Sequence, residues 1–246
     1  LLRYFAALDL QVYDPFFTVF TVVAIASMIV GNYLALCQDD LKRLLAYSSI
    51  AHMGYLLVAF LAGGRLAVTT VILYLLAYFL MTLAAFGVLT ALSNKETDFQ
   101  RIGAYRGLAY RHPFLGMTLA VALFSLAGIP LTAGFLAKFY VLLAGVRSAL
   151  WLLVLVLIAN SVVGLFYYLR VIITIYQPMQ VAQPPPAGGK PSQPGAAVLQ
   201  RPPTRQAPSA TILGAVVLIV LVVSLIGMGV YPGPVIDWID TLIMTP

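Results

Sequence analysis

The chain has 246 residues, 62% of them hydrophobic and 9% charged, with a formal net charge of +6. A water-soluble globule of this size has no core large enough to hide that much apolar surface, so lipid is the solvent for most of the chain. The cations are spread over several loops rather than gathered on one aromatic-bearing face, which excludes nucleic-acid binding, and the single cysteine, Cys37, excludes an internal disulfide and any multi-cysteine metal or iron–sulfur site.

The sequence opens at Leu1 in an apolar run broken by Arg3, with neither a starting methionine nor a signal-peptide pattern, and this predicts a helix upstream that has been cut. Six stretches then reach the roughly 20 apolar residues that a membrane helix needs: 14–36, 44–62, 66–92, 114–146, 149–177 and 210–231. They are too long for barrel strands and do not alternate as those would. The predicted fold class is all-α, a polytopic transmembrane bundle of about six spans, since only helices of this kind satisfy their own backbone in lipid.

The second span contains Tyr47-Ser48-Ser49-Ile50-Ala51-His52-Met53-Gly54-Tyr55, which sets Ser48, His52 and Tyr55 on one helical face. Histidine, with an ordinary pKa of about 6.5, suits a proton relay, and hydroxyls at this spacing can hold waters beside it. The third span adds a seam of Thr70, Tyr74, Tyr78 and Thr82, and the fifth adds Asn160, Gly164 and Tyr168, each at four-residue intervals. Any one such stripe is equally at home as interhelical hydrogen-bond packing. Three of them together could surround a hydrated interior. His112, before Pro113, reads as an interfacial loop residue.

The fourth span runs through Ser125-Leu126-Ala127-Gly128-Ile129-Pro130-Leu131-Thr132-Ala133-Gly134-Phe135-Leu136-Ala137-Lys138-Phe139-Tyr140. Pro130 lacks an N–H and crowds the carbonyl of Leu126, while Gly128 and Gly134 loosen the turns beside it, so a break is predicted here. Carbonyls freed inside a membrane need partners, and water helped by the Ser125 and Thr132 hydroxyls is the expected one. Lys138 follows about two turns later and is the only charge well within a span. An intramembrane lysine marks a proton pathway or a pair. The alternative is snorkelling, since Val146 is roughly 12 Å further along the helix.

Residues 178–208 hold most of a segment from Gln177 to Pro208 that carries nine of the fifteen prolines, and they read as a disordered or polyproline cytoplasmic loop. After the last span, Val235, Ile236, Ile239, Leu242 and Ile243 fall on one face and Asp237, Asp240 and Thr241 on the other, which with Trp238 predicts a short amphipathic helix at the membrane surface. The organisation read from these features is 1–177 as a membrane-helix unit, 178–208 as the loop, and 209–246 as the final span with its amphipathic tail.

Sidedness follows from the cations. Lys42, Arg43, Lys95, Arg101, Arg106, Arg111, Lys190, Arg201, Arg205 and the membrane-edge Arg170 lie on one side, and only Arg3, Arg65 and Arg147 on the other. The richer side is cytoplasmic and the C-terminus lies outside. No phosphate-binding loop, dinucleotide fingerprint or paired-carboxylate site is present, so redox chemistry has no place in this chain by itself.

The runs Asp40 to Tyr55, Ser125 to Tyr140 and Tyr167-Tyr168-Leu169-Arg170 resemble the subunit N family of NADH:quinone oxidoreductase (respiratory complex I), one of the antiporter-like families of its membrane arm. The resemblance extends over the chain except the Pro-rich loop, which is longer than the family leads one to expect. It implies a fourteen-helix fold with two inverted five-helix repeats, of which this chain holds the second repeat and the final helix. Lys138 then matches the broken-helix lysine that exchanges protons with the periplasmic side, and the stripe with His52 matches the central hydrophilic axis. The first repeat, with its glutamate–lysine pair, is not in this sequence. The resemblance further implies no cofactor in this chain, with NADH, FMN, iron–sulfur clusters and quinone in partner subunits. The implied partners are other membrane-arm subunits and lipid, and the implied location is the bacterial inner membrane in preference to an organelle. Two competing functions are a cation/proton antiporter subunit of a related multisubunit exchanger and a non-transporting scaffold, the second disfavoured because a scaffold gains nothing from a buried ammonium.

Overall fold

A computed structural model describes residues 14–93, 101–178 and 212–244. The Pro-rich loop, with Lys190, Arg201 and Arg205, lies outside the described residues, as do Arg3, Lys95, Glu96 and Asp98. Among those described there is no strand. The helices are α1 (Asp14–Leu36), α2 (Leu41–Ala62), α3 (Gly64–Leu92), the short α4 (Leu108–Arg111), α5 (Pro113–Ala127), α6 (Ala133–Arg147), α7 (Trp151–Tyr176), α8 (Ile212–Val230) and α9 (Gly233–Met244). Five of them, α1, α2, α3, α7 and α8, are long and apolar enough to cross a membrane. The remaining predicted span is built from two half-length helices, α5 and α6. The chain is a multi-pass membrane protein.

Local chemistry explains the boundaries. α2 starts three residues earlier than its apolar run because Asp40 caps it, accepting from the N–H groups of Lys42 (2.8 Å) and Arg43 (3.1 Å), which draws both cations into the first turn. α5 begins with Pro113 at its first position, where the missing N–H costs nothing. It ends at Gly128, whose left-handed backbone (φ 84°) closes the helix with the N–H groups of Gly128 and Ile129 both reaching the Phe124 carbonyl at 3.0 Å. The interruption is thus a glycine-capped stop followed by Pro130, rather than a proline kink in one continuous helix. Gly134 lies in the first turn of α6, beside the break.

α9 corrects the expected amphipathic face in part. Ile239 is fully buried and Val235, Ile236 and Ile243 pack against the core, but Leu242 is exposed, while Asp240 turns inward and accepts from the Thr69 hydroxyl of α3 at 3.0 Å.

The two ends of the bundle collect the expected loops. At one end Asp39 meets the Ile102 N–H at 2.8 Å and forms an ion pair with Arg170. At the other the Ser148 hydroxyl donates to the Ala62 carbonyl at 2.6 Å. With the first end cytoplasmic, and Cys37 replaced by serine to remove the exposed native thiol, a cysteine at Arg106 should resist a membrane-impermeant maleimide in intact cells and one at Arg65 should react. Labelling in the reverse pattern would invert the topology.

Candidate functional site

At the α5–α6 break Lys138 satisfies two of the freed carbonyls. Its Nζ donates to the carbonyls of Leu126 (3.1 Å) and Ala127 (3.0 Å), the last two of α5. Where the sequence suggested water as a partner for these carbonyls, the structure places the ammonium. Side chains of a helix point back toward its N-terminus, so a lysine in the second turn of α6 is aimed at the break and away from the Arg147 end. With 8% of its surface exposed, Lys138 is buried and does not snorkel. Gly128 makes room for it: a Cβ there would stand 2.9 Å from Lys138 Cδ.

The two hydroxyls predicted near the break act as staples. Ser125 Oγ accepts from the Gly134 N–H at 3.0 Å, so the end of α5 caps the start of α6, and Thr132 Oγ1 donates to the Ile129 carbonyl at 2.7 Å. Pro130 stands between them, and Leu131 is held at φ 73°, a left-handed backbone rarely adopted by a non-glycine residue.

From Lys138 a buried polar array extends across the bundle. Nζ lies 5.4 Å from the centre of the Tyr55 ring, within reach of a cation–π attraction. The rings of Tyr55 and His52 meet edge-on at 5.5 Å, and His52 Nδ1 is 2.7 Å from the Tyr74 hydroxyl, with Tyr78 tilted over the imidazole at 5.2 Å. The Tyr55 hydroxyl accepts from Asn32 Nδ2 at 3.1 Å. The same amide group reaches Asn160 Oδ1 (3.2 Å), and Asn32 Oδ1 accepts from the Tyr167 hydroxyl (2.9 Å). Five helices, α1, α2, α3, α6 and α7, therefore contribute to one array, and His52, Tyr55, Tyr74, Tyr167 and Asn32 are each 2% exposed or less.

Of the residues picked from sequence, Lys138, His52, Tyr55, Tyr74, Tyr78 and Asn160 come together here. Ser48 is buried beside them but donates to its own helix at the Leu45 carbonyl (2.8 Å), and Thr70 does the same at Leu66 (2.7 Å). Ser48, Tyr78 and Thr82 line a cavity of about 280 Å³ that also touches Leu126, one of the two carbonyl residues holding Lys138. Tyr168 is buried against Tyr167, their ring centres 4.5 Å apart. Two members were not among the site candidates picked from the sequence. Asn32 is the lone amide in the apolar run of α1, and an amide at such depth is a signal in its own right even without a stripe. Tyr167 precedes the tyrosine that fitted the four-residue spacing. Among the described residues no cluster of histidine, cysteine and carboxylate groups could hold a metal ion.

This array sits in a fold with known relatives. A family model described as NADH:quinone oxidoreductase/Mrp antiporter, transmembrane, matches residues 1–164. The chain belongs to this family. The NADH-quinone oxidoreductase subunit N of Chromohalobacter salexigens is 46% identical over 226 residues, covering 90% of this chain and 43% of that protein. The subunit of the same name from Ectopseudomonas mendocina is 52% identical over 158 residues, 63% of this chain and 32% of that protein. Among solved structures, respiratory complex I from Thermus thermophilus with bound aureothin matches with a TM-score of 0.69 at 31% identity, over 89% of this chain and 45% of the matched one. The Mrp complex from Dietzia sp. DQ12-45-1b shares the fold, with a TM-score of 0.74 at 22% identity over 92% of this chain and 46% of the matched one. The chain thus spans less than half the length of each of these relatives.

Proposed function

We propose that this chain is the second half of a subunit N-type proton-translocating subunit of NADH:quinone oxidoreductase in a bacterial inner membrane, with α1 to α7 forming the antiporter-like repeat and α8 the final span. NADH, FMN, iron–sulfur clusters and quinone belong to partner subunits, and the other membrane-arm subunits are its neighbours. The observation that carries the reading is the Lys138 ammonium, buried at a helix break and held by two backbone carbonyls. Carbonyl dipoles stabilise the charged form without neutralising it, so a modest movement of α6 against α5 withdraws the stabilisation and releases the proton. A salt bridge would hold the charge more tightly. The array through Tyr55 and His52 to Tyr74 offers the onward route, and the cavity at Ser48, Thr82 and Leu126 gives water a place beside it.

Purification of the tagged full-length protein tests the assignment: flavin and iron–sulfur subunits should accompany it, whereas companions that are only membrane subunits with cation/proton exchange activity would establish the antiporter reading instead. Within the array, His52→Ala should slow quinone-linked proton uptake moderately and His52→Gln should do less, because the amide keeps a hydrogen-bonding edge toward Tyr74. Equal and negligible effects of the two would make His52 a packing residue.

A further inference from the structure

We propose that the final transmembrane helix, α8, is a clamp on the α5–α6 break, with Gly229 as a positioning residue for Lys138. The inference rests on the reading of Lys138 as the proton-carrying group.

Gly229 lies directly on the backbone of the break. A Cβ at this position would stand 2.5 Å from the Leu131 carbonyl oxygen and 2.5 Å from the Thr132 carbonyl carbon, so no other residue fits without moving that backbone. The segment it touches is the strained one. Leu131 holds φ 73° in the turn that follows Pro130, with its side chain 69% exposed, and Gly229 lies against its backbone. On either side of Leu131 and Thr132 stand the groups that fix Lys138, the Leu126 and Ala127 carbonyls before and the first turn of α6 after. A displacement at Leu131 therefore moves the ammonium relative to its acceptors.

The clamp is anchored at both ends of Gly229. Before it, Leu218, Leu221, Leu225 and Met228 form one buried face of α8. After it, α9 is tied to α3 by the buried Ile239 and by the Thr69–Asp240 hydrogen bond of 3.0 Å. Gly227, on the same helix, has nothing within 4 Å of its Cβ position and serves as a matched control.

The test measures the rate of quinone-linked proton uptake, at equal complex content, in vesicles containing the assembled complex with the full-length subunit. Gly229→Ala is expected to lower it at least about tenfold, since misplacing a reacting group by about 1 Å can cost on the order of 100-fold. Gly227→Ala, with the same gain in helix propensity and no contact, should leave it unchanged. Adding Leu131→Gly to Gly229→Ala should restore most of the uptake, because glycine takes positive φ freely and lets the backbone retreat. A Gly229→Ala complex that pumps like the wild type overturns the clamp. Should that variant fail to assemble, Thr69→Val loosens the α9 anchor without adding bulk to the break. Uptake should then fall roughly fivefold, the equivalent of one ordinary hydrogen bond, and unchanged uptake overturns the proposal equally. Lys138→Ala runs alongside: normal pumping there removes the reading on which the clamp rests, whereas loss there with normal pumping in Gly229→Ala removes the clamp alone.

Discussion

Lys138→Ala in the full-length subunit is expected to abolish most quinone-linked proton uptake while the complex still assembles. The substitution removes a buried charge, which relieves its desolvation, but it also strips the Leu126 and Ala127 carbonyls of their donor, at about 1–3 kcal/mol for each group left unpaired. The two effects oppose one another, and water entering the vacated space further limits the loss, so assembly should survive. Lys138 is the side chain that bonds the Leu126 and Ala127 carbonyls, so its removal takes the proton carrier from the break. Lys138→Glu should keep part of the activity, since a carboxylate at the same position can also titrate. Uptake is measured in reconstituted vesicles, with complex content determined separately by native gel.

Gly134→Val should have the larger effect on the fold. A Cβ at position 134 collides with the carbonyl oxygen of Ser125, and because a Cβ is fixed by its own backbone and the oxygen is a backbone atom, no side-chain rotation relieves the contact. Overpacking alone typically costs about 1–3 kcal/mol. Here the start of α6 must also move off the end of α5, breaking the Gly134–Ser125 cap and pulling Lys138, one turn later, from its carbonyls. The subunit should be present in the membrane at a severalfold lower level, measured by immunoblot against a partner subunit. Ser125→Ala adds no bulk and removes only the hydroxyl, leaving the buried Gly134 N–H unpaired at about 1–3 kcal/mol, and should be better tolerated than the valine. If Gly134→Val accumulated normally with full pumping, the close crossing of α5 and α6 would be wrong.

What could be read in advance followed local rules. Apolar length located the helices, the Gly128 and Pro130 pair located the break, and three- and four-residue spacing found His52, Tyr55, Tyr74 and Asn160. What could not be read were pairings between helices. Asn32 and Asn160 are 128 positions apart and meet only because α1 packs on α7. The partner of the Leu126 and Ala127 carbonyls could not be chosen between water and lysine without the angle between α5 and α6. Asp240 was placed on the wrong face of α9 because spacing gives a helix's apolar side but says nothing of a single hydroxyl, Thr69, waiting on α3. Thr70, although in register with Tyr74, bonds back to its own helix, a choice that threonine makes readily and periodicity does not reveal.

At position 138 the mechanism requires a proton that can leave, and a permanent charge should not serve. Lys138→Arg separates the two, because a guanidinium keeps the positive charge and the capacity to bond the break carbonyls yet stays protonated throughout turnover. Quinone-linked proton uptake by vesicles carrying the Lys138→Arg complex, compared with wild type at equal complex content, should be largely lost. Uptake at the wild-type rate would show that a fixed cation suffices at the break, and Lys138 could then no longer be the group that carries the proton.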